Sequence, residues 1–183
     1  MNAGRMLREV TVDSGGAMNP ELRRLYESAF PAEEQIPYAD LVGLMPSMPI
    51  VYSAWYDGDV FVGLTIVCEW PAANWFWYFA VREDMRGRGY GSQILKAVME
   101  RYKERPLVLD IESPRQECGN QMQRRRRYEF YLRSGLADTG IERAFSGVSY
   151  AILATAGCQL TEAGYDSLLD HLRSCWEAMP ARD

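Results

Sequence analysis

Histidine is almost absent: the 183 residues carry one, His171. A single imidazole cannot build a two-histidine metal site, and His171 falls in a terminal helical stretch with no partner in motif reach. A serine- or cysteine-histidine nucleophile is therefore not expected, and His171 reads as a helix-surface residue. Cys68, Cys118, Cys158 and Cys175 are scattered without metal-ligand spacing, so they read as free thiols of a reducing compartment, with no metal. No apolar run is long enough for a membrane span, which needs about 20 residues; the longest, Trp75 to Val81, is far shorter. The opening "MNAGRMLREV" has neither the apolar core nor the small-residue cleavage pattern of an export signal, so a cytoplasmic protein is expected. A basic excess is also lacking. The net charge of −5 argues against a general nucleic-acid binder but leaves room for a local anion site.

What remains is ordinary for a globular chain, 48% apolar and 25% charged, and long enough to bury a core as one domain over residues 1–183. Met6 to Val12 alternates like a first strand. Asn19-Pro20-Glu21 supplies a cap, a proline at the first helical position and an acid in the first turn, predicting a helix to about Phe30. The proline-broken "FPAEEQIPYADLVGLMPSMP" reads as irregular with one short helix. Ile50–Tyr56 and Val60–Glu69 read as a hairpin turning at Asp57-Gly58, both with positive φ. Trp75–Arg82 is a third, aromatic strand. A helix from about Gly91 to Lys103, a strand at "PLVLDIE", a helix stopping near Ser134-Gly135, two strands within Leu136–Ala156 and a helix from Thr161 complete the order. The terminal helix sets Tyr165, Leu168, Leu169, Leu172 and Trp176 on one stripe. No repeat interrupts this β-α-α-β-β-β-α-β-α-β-β-α order, which predicts one α/β sheet of mixed direction.

The densest local signal is "FAVREDMRGRGYGSQIL", Phe79 to Leu95: a strand, a glycine-rich turn with arginines, and a helix start. A helix N-terminus presents N–H groups without intrahelical partners and a partial positive charge, and glycines let an anion approach the backbone. Two phosphate motifs fail. The P-loop would need Gly-Lys-Ser/Thr where Gly91-Ser92-Gln93 stands. The dinucleotide fingerprint counted from Gly87 or Gly89 would need glycine where Ser92 or Ile94 stands.

A third pattern fits. "RGRGYG", Arg86 to Gly91, reads Arg-x-x-Gly-x-Gly after a strand ending Phe-Ala-Val, and closely resembles the signature of the GNAT acyltransferase superfamily. About forty residues on, Phe130-Tyr131 and Gly135-Leu136 in "RRYEFYLRSGL" resemble the family's second signature. "FPAEEQIPY" and the C-terminal "YAIL…LTEAGYDSLL" look like a bacterial branch of these enzymes. The resemblance implies a GNAT fold, a mixed and mostly antiparallel sheet flanked by helices, and acetyl-CoA as co-substrate. It further implies that Arg86, Gly87, Arg88, Gly89, Tyr90, Gly91 and Ser92 hold the pyrophosphate, and that Phe79, Ala80 and Val81 pair with the pantetheine arm. The oxyanion donor would be a backbone N–H near Val81.

Acyl transfer to an amine also needs a proton acceptor for the amine and a proton donor for the thiolate. By resemblance Tyr131 is that donor; on spacing alone it is a core residue in the stripe Tyr128, Tyr131, Leu132. Many relatives place a base eleven residues before the motif's arginine, where this chain has Trp75, which cannot act. Glu69, and Asp110 or Glu112 on alternate positions of the next strand, are substitutes; a water chain or no protein base is equally open. The run Arg124 to Arg127 points in nearly all directions at helical pitch and reads as solvated helix, with Arg124 or Arg127 as contacts to the CoA phosphates. Glu33, Glu34 and Asp40 can attract a cationic amine or be plain loop acids. Trp70, Trp75, Trp77 and Tyr78 can wall an apolar acceptor pocket, although alternation would send half into the core.

The expectation is thus an N-acetyltransferase acting by direct attack on a small-molecule or peptide amine, without nucleic acid or membrane, and with a homodimer left open. The alternatives are a non-catalytic acyl-CoA-binding or regulatory module, motivated by Trp75, and a nucleic-acid domain using the arginine run.

Overall fold

The computed structural model describes residues 7–178, so Met6 of the expected first strand lies outside the described residues. The strands are β1 (Arg8–Val12), β2 (Ile50–Asp57), β3 (Val60–Glu69), β4 (Asn74–Val81), β5 (Leu107–Glu112), β6 (Leu136–Phe145) and β7 (Val148–Thr155). The helices are α1 (Pro20–Ala29), α2 (Tyr38–Leu44), α3 (Tyr90–Arg101), α4 (Gln121–Arg133) and α5 (Glu162–Glu177). Their order along the chain is the one the sequence predicts. The strands form one sheet in the order β1-β2-β3-β4-β5-β7-β6, antiparallel except between β4 and β5.

Helix starts follow local chemistry. Asn19 accepts the Glu21 N–H at 2.9 Å with Pro20 at the first helical position, and Thr161 Oγ1 accepts the Gly164 N–H at 3.1 Å. The β2–β3 turn differs from expectation. Asp57 pairs with Val60, so the central residues are Gly58 and Asp59, and of these Gly58 alone has positive φ, +61°. That suits glycine at the first central position of a two-residue turn.

Two layers cover the sheet. On one face α3 and α4 pack Ile94, Leu95, Val98 and Tyr131 against Val67, Phe76, Leu109 and Ile111. On the other, α1 and α2 pack Leu22, Tyr26 and Leu41 against Tyr52, Leu64 and Ile66, while α5 sets Tyr165 and Leu168 on Val108 and Ile152. The α5 stripe ends early, because Trp176 is 38% exposed.

Two irregularities in β4 shape the middle of the sheet. Ile66 pairs with Tyr78 but Val67 with Phe76, so Trp77 is an extra residue in a bulge. Simple alternation is thereby broken: Trp75, Trp77 and Tyr78 all pack on the α1, α2 and α5 face, and Phe76, Phe79 and Val81 on the α3 face. Half of the four aromatics are buried as expected, Trp75 and Tyr78, while Trp70 and Trp77 are half-buried, but the bulge rather than alternation sets their faces. Second, β4 pairs with β5 only at Asn74↔Leu107 and Trp75↔Val108. Beyond Trp75 the strands diverge, and the β5-facing backbone of β4 has no strand partner.

Close approach of β3 to β4 is set by Gly63, where a Cβ would lie 2.5 Å from the Ala80 carbonyl oxygen. Gly63→Ala is expected to lower the urea midpoint at unchanged slope, costing about 1–3 kcal/mol as other overpacked sites do.

Candidate functional site

The loop between β4 and α3 opens onto the mouth of this splay. Gly87 and Gly89 have φ of +74° and +83°, values that L side chains adopt only under strain. Gly89 is the residue before α3, with no side-chain cap and no acid in the first turn. The first intrahelical bond runs from Gln93 N–H to the Gly89 carbonyl at 3.1 Å, which leaves the N–H groups of Gly91 and Ser92 without intrahelical acceptors. Arg86 uses Nε on the Val81 carbonyl at 3.3 Å, and Arg88 makes no hydrogen bond or ion pair among the described residues. The result is an uncapped positive helix end, two arginines and open backbone. Tyr90 is partly diverted: its hydroxyl donates to Asp57 Oδ2 at 2.7 Å and ties α3 to the β2–β3 hairpin.

Behind the loop, Phe79 and Val81 face α3 while Ala80 faces away. Tyr131 reaches in from α4, which Tyr128 anchors by donating to Asp138 Oδ2 of β6 at 2.8 Å. The Tyr131 side chain is buried, yet its hydroxyl has no hydrogen-bond partner among the described residues. Burial pushes this phenol up to about 12, with the nearby Arg127 charge pulling it back. It stays protonated at any ordinary pH.

Across the splay, carboxylates gather on the side of β5 and β7. Glu112 bridges two guanidinium groups, Arg124 at 2.7 Å and Arg127 at 2.6 Å, with Glu112 and Arg124 both buried. Asp110 accepts from Trp75 Nε1 at 2.6 Å; burial raises its pKa, and the indole hydrogen bond partly offsets that. Glu34, from the turn after α1, accepts from the Tyr150 hydroxyl at 3.0 Å.

The sequence profile described as the acetyltransferase (GNAT) family matches residues 17–120, more than half of the chain. The chain belongs to the acetyltransferase (GNAT) family. The match ends before α4, so the helix bearing Tyr131 lies outside it. Among solved structures, a protein of Bacteroides thetaiotaomicron assigned to the GNAT family superposes with a TM-score of 0.73 at 20% identity, over 91% of this chain and 96% of that one. The ribosomal-protein-S18-alanine N-acetyltransferase of Escherichia coli gives 0.62 at 13% identity, over 85% and 99%. A Bacillus subtilis acetyltransferase solved with CoA gives 0.58 at 16% identity, over 81% and 97%. Comparison with curated proteins gives no match. At these identities the solved structures speak for the GNAT fold alone.

Within this GNAT fold the candidate residues separate. Arg86 to Ser92 form the loop and the helix start, and Phe79 to Val81 line the open strand. Arg127 is engaged by Glu112 and lies near Tyr131. Glu69 lies opposite Asn74 at the paired end of β4, beside Tyr102 on the α3 side. The arginine run is solvated only in part: Arg125 and Arg126 are exposed, whereas Arg124 is buried and also donates to Gln116 Oε1 at 3.0 Å. The Glu33 side chain lies outside the described ones. Three contacts were missed. The His171 ring packs on Trp70 with centroids 3.6 Å apart and planes tilted by 32°, and Nε2 lies 3.5 Å from Cys175 Sγ, a contact that the four-residue spacing on α5 could have signalled. The Glu34–Tyr150 bond spans 116 residues and has no local signal.

Asp110 gives a pH prediction. Its carboxyl binds a proton more tightly folded than unfolded, so the folded state loses stability as pH rises through the folded-state value. Asp110→Asn keeps an acceptor for Trp75 and removes the buried charge. It is expected to raise the urea midpoint at pH 7 and to leave it nearly unchanged at pH 3.

Proposed function

We propose that this GNAT-family chain is an N-acetyltransferase that binds acetyl-CoA across residues 79–92 and transfers the acetyl group to an amine by direct attack. The acceptor in this reading is a small molecule, and the whole chain, 1–183, works as a single catalytic domain. The observation that carries the reading is the uncapped, glycine-led start of α3 at the mouth of the splay. The N–H groups of Gly91 and Ser92 and the arginines Arg86 and Arg88 suit a diphosphate. The unpaired edge of β4 suits an extended amide-bearing arm, which adds to a strand through backbone hydrogen bonds.

Tyr131 supplies the proton to sulfur in this reading. Against a free thiol near ~8.5, a phenol at about 12 gives up its proton uphill, so the hydroxyl first hydrogen-bonds the sulfur as charge develops and the proton follows as the tyrosine is reprotonated. Of the three acids put forward as a base, Glu112 and Glu69 fit poorly, and Asp110 is held by the Trp75 indole. Glu112 has both oxygens occupied by guanidinium groups, and Glu69 sits at the closed end of the strand pair. The indole at Trp75, where many relatives have an acid, favours the second reading, a module that binds acyl-CoA without turnover.

Thermal unfolding with acetyl-CoA tests the site. At about 100 times its dissociation constant the ligand adds about 2.7 kcal/mol. Wild type should show that shift, and Gly89→Asp should lose it while remaining folded. An unchanged shift in Gly89→Asp would place the ligand elsewhere. Tyr131→Phe separates the two readings: transfer should fall about a hundredfold with the acetyl-CoA shift intact. A wild type that binds acetyl-CoA but releases no thiol with any amine would favour the binding module.

A further inference from the structure

The segment after α1 is pinned to β4 from one side. The Tyr78 hydroxyl, next to the bulged Trp77, donates to the Glu34 carbonyl at 3.0 Å and accepts from the Ile36 N–H at 3.4 Å. Tyr26, edge-on to Tyr78, donates to the Ile36 carbonyl at 2.9 Å. From the other side Tyr150 of β7, paired with Glu112, holds Glu34 Oε1. Glu34 therefore has its main chain fixed to one lip of the splay and its carboxylate fixed to the other. Its second oxygen receives no hydrogen bond among the described residues.

Phe30, Ile36 and Trp77 border this segment half-buried, with Phe30 against Tyr78 and Trp77 stacked on both Trp75 and Tyr78. The groups facing the carboxylate are Tyr150, Glu112 and Asp110 from the sheet and Arg127 from α4. Burial raises its pKa, the Tyr150 hydrogen bond and Arg127 lower it, and the two acids raise it again, with a net upward shift. Such a carboxylate is better matched to taking a proton from an amine than an exposed one.

We infer that Glu34 receives the acceptor's ammonium group and takes its first proton, and that the acceptor is a primary amine carried on an apolar body. This rests on the acetyl-transfer reading. An N–H bond of the ammonium breaks and its proton goes to the free oxygen of Glu34. The nitrogen lone pair forms the C–N bond to the thioester carbon, and the C–S bond breaks with its electron pair on sulfur. Sulfur takes a proton from Tyr131, and the second proton leaving nitrogen restores the tyrosine through solvent. Glu34 returns its own proton to water.

The test uses CoA-saturated protein titrated by calorimetry with 2-phenylethylammonium and with 2-phenylethanol, its uncharged match. Glu34→Gln should weaken the ammonium about tenfold or more and leave the alcohol unchanged. In wild type the ammonium affinity should fall as pH drops and Glu34 protonates. In Tyr150→Phe, which lacks the hydroxyl favouring the ionised carboxylate, that loss should begin at higher pH. The Tyr150→Phe profile decides the matter if Glu34→Gln proves unfolded. Equal ammonium affinity in wild type and Glu34→Gln, an unmoved pH profile, or a wild type that binds CoA but not the ammonium overturns the inference. A wild type that does not bind CoA overturns the acetyl-transfer reading and this inference with it.

Discussion

Parallel strands β4 and β5 hold each other at Asn74↔Leu107 and Trp75↔Val108, and past those pairs the sheet stays open. Parallel pairing usually continues along both strands. Here the bulge at Trp77 increases the local twist of β4, while β5 pairs along its other edge with β7 from Val108 to Glu112. An open strand edge within a sheet exposes backbone donors and acceptors that need partners. The α3 start, Tyr131, Glu112 and Glu34 are all arranged around that opening, on both faces of the sheet.

Charge is divided across that opening. On the α3 side stand a helix N-terminus, Arg86, Arg88 and a neutral phenol. On the side of β5 and β7 stand Glu34, Asp110 and Glu112, with Glu112 engaged by two arginines of α4. A chain of net charge −5 can therefore offer an anion site on one side of the opening and a cation site on the other. The buried Glu112–Arg124 pair, with Arg127 beside it, fixes α4 to the end of β5, and α4 carries Tyr131 to the cleft. Buried pairs of this kind are better at holding geometry than at adding net stability.

Legibility varied with the range of the interaction. The loop could be read because strand, glycines and helix start are contiguous, and their backbone needs select residue types directly. The hairpin at Gly58 was legible to within one residue, since either neighbour of glycine can sit in such a turn. The face of Trp77 was not legible, because a one-residue bulge inverts every alternation beyond it. The arginine run misled: helical pitch distributes the side chains but does not say which of them meets a carboxylate.

From the sequence alone come the order of elements, the helix caps at Asn19 and Thr161, and a glycine-led helix start fit for an anion. Each depends on residues a few positions apart, so the local chain carries the whole cause. Tertiary structure alone decided where β4 parts from β5, which acids are neutralised by arginine, and that Glu34 meets Tyr150 across 116 residues. Those outcomes depend on which surfaces pack together, and burial and charge pairing exist only once they have.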